Sequence, residues 1–134
     1  MNERTVSIEF GHCDPSGIVY NPNYFIWFDM SVHALLAQGG LSLKTLIAEF
    51  GIDGIPVVEY KARFLAPTRW GDEIVIKTSV IKLRRCAFDL QHQVLSAGVP
   101  LFPYIRPAAF DPQEGRVKAR ALPEKLVELL SGCK

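Results

Sequence analysis

One stretch of this chain leaves little choice about its conformation. Between Asn23 and Gln38 the apolar residues Tyr24, Trp27, Phe28, Val32, Leu35 and Leu36 recur at steps of three and four. That spacing gathers them on one side of a helix, which Gly39-Gly40 ends. Asn23, after Pro22, is the expected cap region. So wide an apolar stripe must be covered, and the later part of the chain is suited to cover it. From Glu73 to Leu83 the pattern alternates strictly, with Ile74, Ile76, Thr78, Val80 and Lys82 on one face. This is a strand, and its length implies a curved sheet.

Further elements follow from the same periodicities. Thr5 to Phe10 alternates and reads as a strand. Ser42 to Phe50 reads as a short helix with Ser42 as N-cap and Gly51 as terminator. Ile55 to Phe64 is a strand with a mostly polar face of Val57, Glu59, Lys61 and Arg63, followed by a turn over Pro67 to Asp72. Cys86 to Leu95 alternates again. Leu101 to Phe110 carries Pro103 and Pro107, with Pro100 just before it, so an edge or bulged strand is expected. After a turn at Asp111 to Gly115, Pro123 to Ser131 closes the chain as a helix. A long apolar helix and long antiparallel strands bury one another best when the sheet wraps the helix, so the expected class is α+β.

Composition narrows the range of functions. The 134 residues are expected to form one domain over 1–134. A net charge of +1 creates no global field, so neither nucleic acid nor an anionic membrane is an expected partner. No apolar run approaches the ~20 residues of a membrane span, and Met1-Asn2-Glu3-Arg4 has no apolar leader core. Cys13, Cys86 and Cys133 are odd in number and far apart, which suits reduced thiols and a cytoplasmic location. His12, His33 and His92 lack metal-ligand spacing, so no metal is expected. There is no Gly-x-Ser-x-Gly elbow, phosphate loop or dinucleotide fingerprint.

The segment before the long helix carries the chemistry. It runs Gly11-His12-Cys13-Asp14-Pro15-Ser16-Gly17-Ile18-Val19-Tyr20-Asn21-Pro22, and Asp14 is the lone carboxylate between Glu9 and Asp29. An acid on a loop that feeds a helix start is favoured in its ionised form by the free N–H groups there. Cys13 beside it has no base placed for it, and a packed thiol is expected.

Asp14, Gly17, Val19 and Tyr24, followed by Trp27-Phe28-Asp29, resemble the signature of hotdog-fold acyl-CoA thioesterases of the 4-hydroxybenzoyl-CoA thioesterase type. The resemblance continues through Gly54 to Val58, Gly71 to Ile74 and Arg84 to Phe88, and ends near Pro123. It implies a five-stranded antiparallel sheet around the long helix, a homodimer with a continuous sheet, and a dimer of dimers. It implies an acyl-CoA substrate and no cofactor. Asp14 then attacks the thioester carbonyl or activates a water for it, and the Asn21 backbone N–H faces the oxyanion. The absence of His at position 21, common in relatives of broader acyl range, leans toward an aromatic acyl group. Tyr24, Trp27 and Phe28 would wall the acyl pocket, and Asp29 would meet a ring substituent. Arg84 and Arg85, and Arg116 with Lys118, would hold the phosphates of coenzyme A. Two other functions suit the same fold: a hydratase or dehydratase of acyl thioesters, with His12 as the histidine near the site, and a module that binds acyl-CoA without turnover.

Overall fold

The computed structural model describes residues 1–52, 54–96, 99–107, 110–111, 118–119 and 121–132, and within 99–119 the backbone alone. Strand β1 (Asn2–Ser7) is followed by helices α1 (Pro22–Gln38) and α2 (Leu43–Phe50). Strands β2 (Val57–Arg63), β3 (Glu73–Leu83), β4 (Phe88–Ser96) and β5 (Val99–Pro107) come next. A short pair, β6 (Phe110–Asp111) and β7 (Lys118–Ala119), precedes the closing helix α3 (Glu124–Ser131). The five longer strands form one antiparallel sheet in the order β1-β3-β4-β5-β2. The expected α+β class and five-stranded antiparallel sheet are therefore present.

All six apolar positions named from the α1 spacing are buried, as is Ser31 between them. They join one core with Ile74, Ile76 and Val80 of β3 and Phe88, Leu90 and Val94 of β4. Each such side chain removed from water contributes roughly 1.5–3 kcal/mol, which makes this contact the main stabilising feature of the fold. On β3 the inward alternation holds from Ile74 to Val80, then lapses. The register against β4 shifts between Val80 and Lys82, so Lys82 turns out to solvent.

Several boundaries differ from expectation. The first strand ends at Ser7 rather than Phe10, and Phe10–His12 forms a 3-10 turn. His12 Nδ1 accepts the Glu9 N–H at 2.9 Å, a reciprocal bond that competes with extension of the strand. Helix α1 opens with Pro22 in its first turn and Asn21 as the cap, ahead of Asn23 where the cap is expected. Proline suits that position because its missing N–H would have had no partner there. Asn23 instead donates its side-chain amide to the His12 carbonyl at 2.8 Å, tying the first helical turn to the preceding loop. Helix α2 behaves as expected: the Ser42 side chain accepts from the Thr45 N–H, and Gly51 takes a left-handed φ of 65°.

For the proline-rich strand an edge or a bulged pairing is expected. It is not at an edge, for β5 lies inside the sheet between β4 and β2. The β2–β5 pairing is bulged, with the extra residue on β2, where the register shifts between Val57 and Glu59 opposite Pro107 and Arg106. The bulge takes up the mismatch beside a residue that has no N–H to donate. The edge strands are thus β1 and β2. Among the described residues no helix is long and apolar enough to cross a membrane.

Candidate active site

The loop carrying Asp14 is a small hairpin. Cys13 bridges Val19, the Asp14 N–H donates to Ile18 at 3.0 Å, and the Gly17 N–H donates to the Asp14 carbonyl at 2.9 Å. Gly17 sits at φ 78°, a conformation other residues rarely adopt, and so permits this reversal. Asp14 Oδ1 accepts the Ser16 N–H at 2.8 Å, which fixes the carboxylate and leaves it acceptor capacity. The hairpin is stitched to a distant turn: Ile18 bridges Arg69, and the Val19 N–H donates to the Thr68 carbonyl at 2.9 Å.

Two hollows border this hairpin. The first, of about 650 Å³ and open to solvent, is walled by Phe10, Cys13, Asp14, Gly17, Arg69 and Trp70. The second, of about 180 Å³, is lined by Ile18, Asn21, Tyr24, Phe64, Leu65 and Thr68. At its floor the Tyr24 hydroxyl is hydrogen-bonded to the Thr68 hydroxyl. Burial raises the Tyr24 pKa, and the bonds from Thr68 oppose part of that rise. Asn21, at the mouth of α1, shares the second hollow and not the first. Pro22 has no N–H, and those of Asn23 and Tyr24 donate to the carbonyls of Tyr20 and Asn21. The Asn21 N–H makes no backbone hydrogen bond among the described residues.

The other residues singled out in the sequence fall in several places. Trp27 and Phe28 are buried and line neither hollow; Trp27 packs edge-on against His12, and Phe28 stacks on His92. Of the expected aromatic wall, Tyr24 alone faces one of these two hollows. Asp29 lies one helical turn before His33, 4.0 Å from its Nε2; burial raises the pKa of Tyr60, and the charge of Asp29 adds to that rise. His12 has its Nδ1 engaged by Glu9 and lines neither hollow. Arg84 grips Asp89, a carboxylate only 4% exposed, through Nε at 3.1 and 3.2 Å and Nη2 at 2.7 Å. Arg85 next to it is exposed, with its carbonyl accepting from the Leu122 N–H. Arg116 lies outside the described residues, and Lys118 is described only as backbone, paired with Asp111 in β7. Cys13 and Cys86 are free thiols, and among the described residues no three His, Cys, Asp or Glu side chains gather around one point.

Phe10, Phe64, Leu65, Arg69 and Trp70 border these hollows but were not anticipated. Each falls in a turn or strand end where periodicity carries no information about facing. Their proximity to Asp14 or Asn21 goes with the Ile18–Arg69 bridge, which joins two segments far apart in sequence.

Residues 8–123 match the thioesterase-like superfamily. The chain belongs to that superfamily. Within it, the chain is 38% identical over 88 residues to the 4-hydroxybenzoyl-CoA thioesterase of Pseudomonas sp. (strain CBS-3), a match that spans 65% of this chain and 62% of that protein. Among solved structures, a mutant 4-hydroxybenzoyl CoA thioesterase complexed with 4-hydroxybenzoyl CoA aligns with a TM-score of 0.90 at 28% identity, covering 96% of this chain and 97% of that one. A gentisyl-coenzyme A thioesterase aligns with a TM-score of 0.83 at 27% identity, covering 97% and 99%. These similarities place the thioesterase-like fold over nearly the whole chain, including the Asp14 hairpin and the start of α1.

Proposed function

We propose that residues 1–134 form one hotdog domain that hydrolyses acyl-CoA thioesters, acting on an aromatic acyl group such as benzoyl or hydroxybenzoyl. The observation that carries this is Asp14, a carboxylate fixed on a tight hairpin at the edge of an open hollow, beside the start of α1. The relatives named above, acting on 4-hydroxybenzoyl and gentisyl thioesters, support the aromatic class. The 180 Å³ hollow is below the usual range for drug-sized ligands and suits a single ring lying against Tyr24, Phe64 and Leu65. Trp27 and Phe28 then support that wall from within the core, and Asp29 is the carboxylate nearest in sequence for a polar ring substituent.

In the reaction the Asp14 carboxylate either adds to the thioester carbonyl or draws a proton from a water that adds in its place. The carbonyl oxygen takes the negative charge and the Asn21 N–H donates to it. The carbon–sulfur bond then breaks, and the sulfur leaves as the thiolate of coenzyme A. On the covalent route, water then cleaves the Asp14 anhydride. Arg84, Arg85, Arg116 and Lys118 would hold the phosphates, Arg84 being oriented by Asp89.

A second copy completes the proposed assembly. Edge strand β2 exposes Val58 and Tyr60 among Glu59, Lys61 and Arg63, and Ile26, Met30, Phe64 and Leu65 are exposed apolar residues of α1 and the segment after β2, whereas edge strand β1 exposes Glu3, Thr5 and Ser7. The β2 edge, with these apolar residues around it, is the one suited to pair with its own copy, and two such dimers would form the tetramer. Sedimentation at twice or four times the chain mass checks the assembly.

Assay of Asp14→Asn with benzoyl-CoA and its hydroxylated forms, following thiol release, tests the activity. Loss of about 10³-fold in kcat is expected for removal of a nucleophile or base. Undiminished turnover in the variant would refute the role of Asp14, and absence of turnover in the unmodified chain would refute the function.

A further inference from the structure

Among the described residues Phe10 and Trp70 are the two most exposed large aromatic side chains, at 75% and 66%, and they touch each other edge to face with ring centroids 5.6 Å apart. Exposed aromatic rings in contact are costly in water unless something covers them. Their backbone is held firmly. The Ile8 N–H donates to the Asp72 carbonyl at 2.8 Å, and the Gly71 N–H donates back to Ile8 at 3.0 Å. Asp72 closes the turn by accepting the Arg69 N–H at 2.9 Å, with Gly71 at φ 91°. The two rings are therefore presented by a fixed scaffold rather than left out by a loose loop.

Both rings line the same hollow as the Asp14 carboxylate, with Arg69 alongside. Its volume of about 650 Å³ falls in the range of small-molecule sites, unlike the second hollow at about 180 Å³. A thioester has two sides, and two hollows of unequal size border the hairpin that bears Asp14. The small one suits a ring. The large one, with apolar walls and a cation, suits a long neutral arm that leads to phosphates.

Resting on the function proposed above, we infer that Phe10 and Trp70 form a grip for the pantetheine arm of coenzyme A, making them binding determinants common to every acyl-CoA substrate. The pre-set pair would clamp the arm without ordering new side chains, which favours affinity.

The chain has two tryptophans, and Trp27 is only 6% exposed, so solvent-facing fluorescence belongs to Trp70. Titration of the full chain carrying Asp14→Asn with free coenzyme A should shift tryptophan emission, whereas benzoate should not. The shift should vanish in a Trp70→Phe background. Phe10→Ala and Trp70→Ala, in the otherwise unmodified chain, should raise KM about fivefold with kcat unchanged, equally for benzoyl-CoA and a short aliphatic acyl-CoA. Trp70→Phe, which keeps a ring, should stay within about twofold of the parent KM. Unchanged KM in both alanine variants, or a response to benzoate without one to coenzyme A, would overturn the inference. So would altered acyl preference, or a loss of assembly on sedimentation with KM retained. The two proposals fail separately: turnover with indifferent Phe10 and Trp70 variants removes only the grip, and a Trp70 response to coenzyme A without hydrolysis removes only the enzyme.

Discussion

Phe28 of α1 and His92 of β4 lie face to face, ring centroids 4.9 Å apart and planes within 9°. The imidazole is wholly buried, with Nδ1 2.7 Å from the Thr78 hydroxyl and Nε2 without a hydrogen-bond partner among the described residues. Burial disfavours its charged form and lowers its pKa from 6.5 to about 3.

That relationship makes stability depend on pH with a definite sign. Below pH 6.5 the unfolded chain binds a proton at His92 that the folded chain refuses. Stability is therefore complete above pH 6.5 and falls as pH drops toward about 3, by about 1.4 kcal/mol per pH unit from this group. Urea melts at pH 7, 6 and 5 should show the decline, and His92→Leu should flatten it by about one proton. An unchanged slope in the variant would assign the effect elsewhere.

Adjacent arginines are expected to separate by function. Arg84→Met leaves the nearly buried Asp89 short of a bidentate partner, and a loss of about 1–3 kcal/mol is expected, reduced from the fully buried case because Arg84 is partly exposed. Arg85→Ala should leave the melting temperature unchanged and raise KM for acyl-CoA. Equal melting temperatures for the two variants would refute the division.

Helix α3 closes on the end of α1 through one small residue. A Cβ on Gly39 would lie 2.1 Å from Leu129 Cδ1 and 2.5 Å from its Cγ, too close for either to stay in place. Gly39→Ala should cost about 1–3 kcal/mol by overpacking, since its φ of −89° is open to any residue. Leu129→Ala made in the same chain should restore part of the loss, giving a non-additive double-mutant cycle by chemical denaturation.

Gly17 offers a test of how tightly Asp14 must be held. At φ 78° an alanine is strained by about 1 kcal/mol, and relief would open the Asp14–Ile18 bond. Gly17→Ala should lower kcat more than it raises KM, with melting only slightly affected. A change confined to KM would mean that the hairpin positions substrate rather than Asp14.

Most of the architecture was legible where periodicity is strong. The α1 stripe from Tyr24 to Leu36 and the alternation from Ile74 to Val80 both came through, because burial on one face selects residues at fixed spacing. The proline-bearing β5 was legible only in part: local chemistry pointed to an edge or a bulge, and the strand is interior with the bulge on its neighbour β2. The candidate site was legible only at its hairpin. Asp14, Gly17 and the start of α1 lie within a few residues of one another, so local turn chemistry could point to them.

The amino-acid order alone thus determined the elements, the sided helix and the carboxylate on its approach loop, because each depends on residues near in sequence. Tertiary structure decided which side chains share a hollow. Trp27 and Phe28 went into the core, Arg84 was drawn to Asp89, and Trp70 came to Phe10 and the Asp14 hollow through bridges to the Pro67–Asp72 turn. Those outcomes depend on long-range backbone pairing, which no local pattern encodes.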